Sequence, residues 1–303
     1  MRGPTVISGV YVPLLTPFDR QGHVDTGAFG AFAQWLAGRG VDGLVPFGST
    51  GEGPSLSLRE RLAVLASLPD AVPGTSLIPA ITESSLDAVL EFVAAVNDLP
   101  ATAIMVLPPY YFRPLAADDL RRFMEPVLTA SRHPVLLYHI PVFGPPVPVE
   151  AISALAGPSL WGVKDSSGDI GNTKAVLAAG ANVMVGSEAR LVEAVGLGAS
   201  GGICGLANLL PEHLVAAYAA AKAGDPEQGD AILAPALDFL RQLVDACPGS
   251  PVAWIPVAKQ LAGQRSGVDL GGVRPPVPPA PGTAAAAALT PGLEAVLSEL
   301  AQA

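Results

Sequence analysis

The chain has 303 residues, of which 50% are hydrophobic and 15% are charged, and its formal net charge at pH 7 is −10. This composition can bury a large core, so it excludes general disorder and allows one large domain with an appendage, or two modest domains. An acidic chain disfavours nucleic acid and anionic membranes as partners, although a small anionic substrate can still enter a locally positive pocket.

Short apolar runs alternate with stretches of helical periodicity along the first 225 residues. In 25–39 and 116–131, apolar residues recur at three- and four-residue steps, which predicts amphipathic helices. The runs between such stretches are apolar throughout, as in parallel strands covered on both faces. Eight strands are predicted, at 9–16, 43–48, 76–81, 101–107, 134–140, 161–166, 182–187 and 201–206.

Eight strand–helix units predict an α/β fold of the (β/α)8 TIM-barrel type over residues 1–225. The barrel is favoured over an open doubly wound sheet because closure removes the sheet edges. After residue 225 the strand rhythm stops, so 226–303 is predicted as a C-terminal helical region with a Pro/Ala-rich connector at 274–290. Its predicted helices are 226–246, 252–263 and 290–302.

The cysteines and histidines suggest neither a disulfide nor a metal. Cys204 and Cys247 lie far apart in the sequence, which indicates two reduced cysteines, and the four histidines lack metal-ligand spacing. No apolar stretch reaches the ~18 residues needed to span a bilayer, and the run from Gly9, with Pro13 inside it, is interpreted as a strand rather than a signal peptide. We expect a cytoplasmic protein without metal, cofactor or membrane partner.

A lysine interrupts an apolar predicted strand in the sequence Trp161-Gly-Val-Lys164-Asp-Ser-Ser-Gly. Burying a lysine costs free energy unless its amine is neutral or paired, and the neutral amine is the form that attacks a carbonyl carbon. Active sites of such barrels form where strands end, and Lys164 lies there. The residues alone leave two interpretations open: a nucleophile, or a lysine that reaches solvent or pairs with Asp165.

Tyr138, in Leu136-Leu-Tyr-His-Ile-Pro141, lies near the end of the strand before the lysine strand. Adjacent strands are about 4.8 Å apart, so the two side chains converge if both point inward. A tyrosine hydroxyl placed there can transfer protons, although Tyr138 taken alone is more simply explained as a core aromatic.

Two loops that follow predicted strands carry further candidates. In the segment Gly48-Ser49-Thr50-Gly51-Glu52, the glycines permit a tight turn whose amides and hydroxyls can bind a carboxylate, but ordinary turns have the same composition. The proline-flanked pair Tyr110-Tyr111 offers exposed aromatics to a site or an interface, or simply packs within its loop.

Together these motifs resemble the pyruvate-dependent class I aldolases that include dihydrodipicolinate synthase and N-acetylneuraminate lyase. The similarity runs from Gly9-Val-Tyr-Val-Pro-Leu-Leu-Thr-Pro-Phe to about Pro279. It rests on Gly-Ser-Thr-Gly-Glu, Pro-Tyr-Tyr, Leu-Tyr-His-Ile-Pro and Gly-Val-Lys-Asp occurring together at barrel spacing, since no single motif is specific. The resemblance implies a cofactor-free Schiff-base enzyme that acts on pyruvate, usually as a tetramer built from two dimers.

The resemblance also implies a role for each matching residue. Lys164 is similar to the Schiff-base lysine, and Tyr138 to the tyrosine that relays protons. Ser49 and Thr50 match the pair that holds the pyruvate carboxylate, with Thr50 also in the relay, and Tyr111 matches the tyrosine that completes the relay in a neighbouring subunit. The other expected substrate contacts are Gly48 and Ile203 near pyruvate, and Ser166, Ser167, Ser187 and Glu188 near the aldehyde, the last two being equally explained as a helix start.

One departure from the family pattern bears on the substrate. Dihydrodipicolinate synthases carry an arginine just after the Tyr-x-x-Pro motif, where it binds the carboxylate of aspartate semialdehyde as a bidentate partner. This chain reads Pro141-Val-Phe-Gly144 instead, without arginine. The segments 164–169 and 201–208 look more like those of 4-hydroxy-2-oxoglutarate and 2-keto-3-deoxy acid aldolases.

We therefore predict a lysine Schiff-base lyase that makes or breaks a carbon–carbon bond next to pyruvate, on a 2-keto-3-deoxy or 4-hydroxy-2-oxo acid. Its expected partners are a 2-oxo acid, an aldehyde and further copies of the chain in a dimer or tetramer. Two alternatives stay open. One is a dihydrodipicolinate synthase or 2-oxo acid dehydratase that uses the same imine, with Arg113 as the candidate substitute for the missing arginine. The other is a non-catalytic barrel that binds a 2-oxo acid.

Overall fold

The computed structural model describes residues 7–281 and 283–300, and parallel strands form the centre of that part of the chain. The strands are β1 (Gly9–Pro13), β2 (Gly43–Val45), β3 (Ser76–Leu77), β4 (Ala80–Ile81), β5 (Ile104–Val106), β6 (Val135–His139), β7 (Leu160–Asp165), β8 (Asn182–Val185) and β9 (Gly201–Ile203). Hydrogen-bonded neighbours follow the order β3-β2-β1-β9-β8-β7-β6-β5-β4, and all of these pairings are parallel.

The two ends of this order, β3 and β4, are halves of one strand interrupted at Pro79, and the sheet closes through them. On one side the amide of Ile78 donates to the carbonyl of Leu44 in β2; on the other, the amide of Thr102 donates to the carbonyl of Leu77. The sheet is therefore an eight-stranded barrel, and the predicted fold class is confirmed.

Helices follow the strands and surround the barrel. They are α1 (Thr26–Ala37), α2 (Leu58–Ala71), α3 (Leu86–Val96), α4 (Ala117–Ala130), α5 (Val149–Leu155), α6 (Ile170–Ala178), α7 (Leu191–Gly196) and α8 (Pro211–Lys222). Capping residues fix several helix starts: Asp25 accepts from the amide of Ala28, and Ser57 and Glu60 form a reciprocal capping box. The helices predicted within 25–39 and 116–131 are confirmed as α1 and α4.

Apolar side chains form two separate cores, as expected where successive strand residues point to opposite faces. One core fills the barrel interior, and it includes Tyr11, Met105, Tyr138 and Met184. The larger core lies between the barrel and its helices. Because the interior is packed with side chains, a reactive site can form only where the strands end.

Three further helices follow α8, namely α9 (Pro226–Asp245), α10 (Ile255–Ser266) and α11 (Thr283–Leu300). The connector predicted at 274–290 is wrong over 283–290, because α11 already begins at Thr283. Alanine is the strongest helix former, and one of the alanines that follow, Ala286, is buried in the core. The final residues of the predicted helix 290–302 lie outside the described residues.

The predicted strands were mostly too long at their carboxyl ends. The apolar character of the sequence continues past the last ladder residue into the loops, for example beyond Val45 and beyond Ile203.

Cys204 and Cys247 are both buried and free. Over the described ranges, no helix combines the length and apolar character that a membrane crossing requires.

Candidate active site

Lys164 points into the barrel near the carboxyl end of β7. Its neighbours Val163 and Asp165 lie on the opposite, helix-facing side of the strand, since side chains alternate along it. The lysine is only 4% exposed. It is therefore a buried amine at the end of the barrel where active sites form, and it does not extend to solvent.

Asp165 does not pair with Lys164, which removes one of the explanations left open by the sequence. Its carboxylate accepts hydrogen bonds from the Thr173 hydroxyl at 2.8 Å, the Asn172 amide group at 3.0 Å and the Ser167 backbone amide at 3.0 Å. These partners belong to the loop after β7 and to α6. Asp165 thus fixes the start of α6, and its carboxylate is not a partner of the Lys164 amine in the barrel interior.

Tyr138 lies beside Lys164 on the adjacent strand. The two residues are direct register partners of β6 and β7, so their side chains project to the same face. The Lys164 Nζ lies 4.2 Å from the centre of the Tyr138 ring, and the tyrosine itself is buried. The convergence expected from the sequence is therefore present.

Ser49 and Thr50 face the same cavity from the loop after β2. Within this loop, the amides of Gly51 and Gly53 donate to the carbonyl of Gly48, each at 3.0 Å. Among the described residues, the amides of Ser49 and Thr50 donate to no protein acceptor. Two free amides and two hydroxyls together form a donor set that suits a carboxylate.

The loop requires glycine at two positions because the surrounding backbone leaves no room for a Cβ atom there. A side chain at Gly53 would place its Cβ 1.7 Å from the carbonyl oxygen of Phe47, and one at Gly51 would lie 2.5 Å from the carbonyl oxygen of Leu14. Phe47 and Glu52 both adopt positive φ, at 68° and 55°. Such strain is retained only where surrounding contacts enforce it.

Those contacts include a buried ion pair between the loop and helix α10. Lys259 Nζ lies 2.6 Å from Glu52 Oε1, and both side chains are fully buried. The other carboxylate oxygen of Glu52 accepts from the Arg274 amide at 2.8 Å, and Lys259 also donates to the Gly272 carbonyl at 2.6 Å. Burial lowers the pKa of Lys259, which the adjacent Glu52 carboxylate partly offsets.

The cavity above Lys164 has a volume of about 290 Å³. Its inner end is polar and contains the lysine, the tyrosine and the Ser49–Thr50 pair. Its outer wall is largely apolar and comes from the loop after β6 and from the C-terminal helical region. The residues of that wall are Val142, Phe143, Leu240, Pro251, Val252, Trp254 and Ile255.

The structure brings most of the predicted site residues to this cavity. Ile203 and Ser166 line it together with the four residues described above. Gly48 and Ser187 do not line the cavity. Gly48 is buried within its loop, and Ser187 lies between the lining residues Gly186 and Glu188.

Tyr111 lies outside its own chain's cavity. It is 78% exposed and stacks edge to face on the exposed Phe112, with ring centres 5.2 Å apart. Arg113 is exposed in the same loop and is not a lining residue. A contribution of Tyr111 to catalysis thus requires a second subunit.

Glu188 contributes a carboxyl group to the cavity. Its Oε1 accepts from the Leu206 amide at 2.8 Å. Burial raises the pKa of Glu188, while the Leu206 hydrogen bond and the charge of Lys164 act in the opposite direction. The same burial raises the pKa of the Cys204 thiol well above its usual range, so that thiol is a packing group rather than a nucleophile.

The contribution of the C-terminal region to the site was not predicted from the sequence. Trp254 and Leu240 line the cavity, and Lys259 pairs with Glu52 in the loop that carries Ser49 and Thr50. The signal for Lys259 was present, because this lysine shares the apolar face of a predicted helix with Ile255 and Ala262. Its partner, Glu52, was part of a recognised motif without an assigned role.

The chain is similar to known proteins in both sequence and fold. The sequence model of the Dihydrodipicolinate synthetase family matches residues 6–287. A 4-hydroxy-tetrahydrodipicolinate synthase from Corynebacterium aurimucosum is 31% identical over 279 residues, covering 91% of this chain and 90% of the relative. A 2-dehydro-3-deoxy-D-gluconate/2-dehydro-3-deoxy-phosphogluconate aldolase from Picrophilus torridus is 31% identical over 200 residues, covering 64% of this chain and 74% of the relative.

Among solved structures, a catalytic lysine mutant of the sialic acid aldolase of Ruminococcus gnavus superposes with a TM-score of 0.90 at 19% identity, covering 99% of each chain. At this identity the likeness concerns the fold alone.

Proposed function

The chain belongs to the Dihydrodipicolinate synthetase family, and from this premise and the geometry of the cavity we propose that it is a class I lyase that forms a Schiff base between Lys164 and pyruvate. The reaction makes or breaks the bond between C3 of pyruvate and the carbon of an aldehyde. The general product class is a 4-hydroxy-2-oxo acid, which includes 2-keto-3-deoxy acids.

The catalytic cycle begins when the pyruvate carboxylate binds the amides and hydroxyls of Ser49 and Thr50. The neutral amine of Lys164 attacks C2, and the carbinolamine loses its oxygen as water to leave a protonated imine. Loss of a proton from C3 gives an enamine, whose C3 forms the new bond to the aldehyde carbon. The aldehyde oxygen takes up a proton, and water then hydrolyses the imine to release product and free lysine.

Tyr138 is the group best placed to carry these protons. It is the register partner of Lys164, and its ring lies 4.2 Å from the amine. A tyrosine hydroxyl can give a proton to the departing water and to the aldehyde oxygen, and can take one from C3. Thr50 extends this relay towards the cavity, and Tyr111 of a second subunit completes it.

One observation carries the proposal: a buried lysine without a carboxylate partner among the described residues lies beside a buried tyrosine, at the end of a barrel cavity. The test is intact-mass spectrometry after incubation with pyruvate and sodium borohydride, followed by peptide mapping. We expect a reduced pyruvyl adduct on Lys164 that is absent in Lys164→Ala and retained in Lys174→Ala, a matched change at an exposed lysine. Pyruvate binding without an adduct would leave a non-catalytic binding barrel.

A second candidate reaction is condensation with aspartate semialdehyde, as the similarity to a 4-hydroxy-tetrahydrodipicolinate synthase suggests. The cavity argues against it, since Val142 and Phe143 line it in the stretch where the family resemblance implies an arginine that binds the second carboxylate. Consumption of aspartate semialdehyde with pyruvate at a rate above that of neutral aldehydes would favour this candidate.

The remaining proposals concern organisation and location. We place the division between the barrel and the C-terminal helical region at residue 225, where α8 has ended and α9 is about to begin. The exposed Tyr111–Phe112 pair supports assembly into a dimer or tetramer, and the reduced cysteines support a cytoplasmic location.

A further inference from the structure

The outer wall of the cavity differs in chemistry from its inner end. Val142 and Phe143 contribute to it from the loop after β6, and Leu240, Val252 and Trp254 from the C-terminal helical region. An aldehyde that meets the enamine at Lys164 has to carry its substituent along this wall. The side chains of the wall therefore select the second substrate.

Among the residues that the structure describes, the charged side chains that line the cavity are those of Lys164 and Glu188. In the imine the Lys164 nitrogen is bonded to the first substrate, so the lysine does not serve as a partner for an anionic group on the aldehyde. Glu188 contributes a carboxyl group and no positive charge. Arg190, the nearest arginine in sequence, is held outside by hydrogen bonds to the Gly168 carbonyl and to Glu193. No lining side chain is thus left to pair with a carboxylate or phosphate on the aldehyde.

Trp254 acts as an apolar surface because its single donor is already used. The indole Nε1 donates to the carbonyl of Pro251 at 3.1 Å. The ring edge packs over Gly205, where an added Cβ would lie 3.2 Å from the indole. These contacts hold the indole in place, and it presents an apolar surface to the cavity rather than a hydrogen-bond donor.

From this wall we infer that the second substrate is a neutral aldehyde with an apolar body, aromatic or branched, and that Trp254, Leu240 and Phe143 determine this specificity. The inference rests on the proposed function and narrows it: the products are 4-hydroxy-2-oxo acids with an apolar substituent at C4. A carboxylate on the substituent would be buried against apolar groups without a partner, which is unfavourable. A polyol would find side-chain hydrogen-bond partners such as Ser166 and Glu188 at the inner end, but its hydroxyls along the outer wall would lose their hydrogen bonds to water without side-chain replacements.

The experiment compares aldehydes that differ in one group. The wild-type protein is given pyruvate with benzaldehyde, 4-carboxybenzaldehyde or D-glyceraldehyde, and the 4-hydroxy-2-oxo acid formed is measured. We expect kcat/KM for benzaldehyde to exceed the other two values by at least about tenfold, in line with the usual discrimination of apolar pockets. Equal or faster use of 4-carboxybenzaldehyde or D-glyceraldehyde would overturn the inference.

A charge placed on the wall should shift this preference. Val142→Arg, at a 57% exposed position of the cavity mouth, is expected to raise the ratio of 4-carboxybenzaldehyde to benzaldehyde use at least about tenfold. Leu197→Arg adds the same charge at an exposed apolar position next to the opposite end of the barrel, and should leave the ratio unchanged. An unchanged ratio in Val142→Arg would contradict the assignment of the wall.

The borohydride adduct separates failure of this inference from failure of the proposed function. An adduct on Lys164 together with a preference for charged or polyol aldehydes, or with no turnover of benzaldehyde, overturns only the inference. Absence of the adduct with pyruvate bound overturns both.

Discussion

Tyr138 can be changed at one atom without disturbing its packing. Its ring belongs to the interior core of the barrel, and only its hydroxyl is available for proton transfer. Phenylalanine keeps the ring beside Lys164, so Tyr138→Phe is expected to lower kcat by about 10²- to 10⁴-fold, the usual contribution of a general acid–base group. Steady-state kinetics and thermal unfolding measure the two effects separately.

The control for this change is Tyr11→Phe in the same core. Tyr11 donates its hydroxyl to Ser76 at 3.0 Å, far from the lysine end of the strands, and does not line the cavity. It should cost some stability and leave kcat nearly unchanged. A kcat for Tyr138→Phe close to that of the wild type would remove the tyrosine from the proton relay.

Two buried histidines make the stability depend on pH. Burial lowers the pKa of His139, which Asp165 partly offsets, and burial likewise lowers the pKa of His213. An unfolded histidine titrates near about 6.5, so above that pH neither state gains a proton. Below it the unfolded chain takes up protons first, and the free energy of unfolding falls.

Thermal unfolding at pH 7.5 and 5.5 checks this expectation. The unfolding temperature should fall at the lower pH, and the fall should be smaller in His213→Gln than in the wild type. His23→Gln is the control, because His23 lies at the surface with a side chain 74% exposed. The same fall in His213→Gln and the wild type would mean that His213 does not contribute.

At the level of elements, helix α10 and the loop after β2 act as one unit through Lys259 and Glu52. Removing one partner of a buried ion pair leaves the other charge uncompensated, which typically costs about 3–5 kcal/mol. We expect Lys259→Met to lower the free energy of unfolding by about this amount. The loop that carries Ser49 and Thr50 should also loosen, which raises KM for pyruvate more than it lowers kcat.

The double variant Lys259→Met/Glu52→Gln tests this coupling, since it removes both charges and keeps an acceptor for the Arg274 amide. It should recover much of the stability lost in Lys259→Met. Arg132→Met breaks an exposed pair with Asp98 and serves as the control, with stability expected near that of the wild type. Strictly additive effects of the two single changes would show that the pair is not coupled.

The existence and order of the barrel elements could be predicted from sequence, because apolar strands and amphipathic helices have distinct periods. Strand ends could not, since the residues beyond Val45 are as apolar as the strand itself. The alanine-rich part of 274–290 was assigned to a connector on composition, although alanine is a strong helix former and α11 includes it.

The reactive pair could be located from sequence because strand position and alternation place Lys164 and Tyr138 on one face. The outer wall could not, because it depends on how 240–255 packs over the barrel mouth, and local pattern carries no information on that docking. Ser187 and Glu188 were both predicted as contacts near the aldehyde, and of these two Glu188 lines the cavity.

For the whole molecule, the exposed pair of aromatic side chains after β5 predicts self-association. Tyr111 and Phe112 are 78% and 76% exposed, and such adjacent aromatics are typical of interfaces. Light scattering coupled to size-exclusion chromatography should give a dimer or tetramer for the wild type and a smaller species for Phe112→Asp. A monomeric wild type would contradict the expected assembly.

Tyr111→Phe separates catalysis from assembly. It keeps the ring at the interface, so the molar mass should stay that of the wild type, whereas kcat should fall at least about tenfold if the hydroxyl completes a relay in the neighbouring subunit. An unchanged kcat would limit Tyr111 to a contact role.

The contact between Glu52 and the backbone of Arg274 spans 222 residues of sequence. During synthesis at about 5–20 residues per second, the segment that contains Arg274 emerges from the ribosome roughly ten to forty seconds after the loop that contains Glu52. The nascent chain thus contains Lys164 well before it contains the segment whose backbone holds Glu52 in the loop of Ser49 and Thr50.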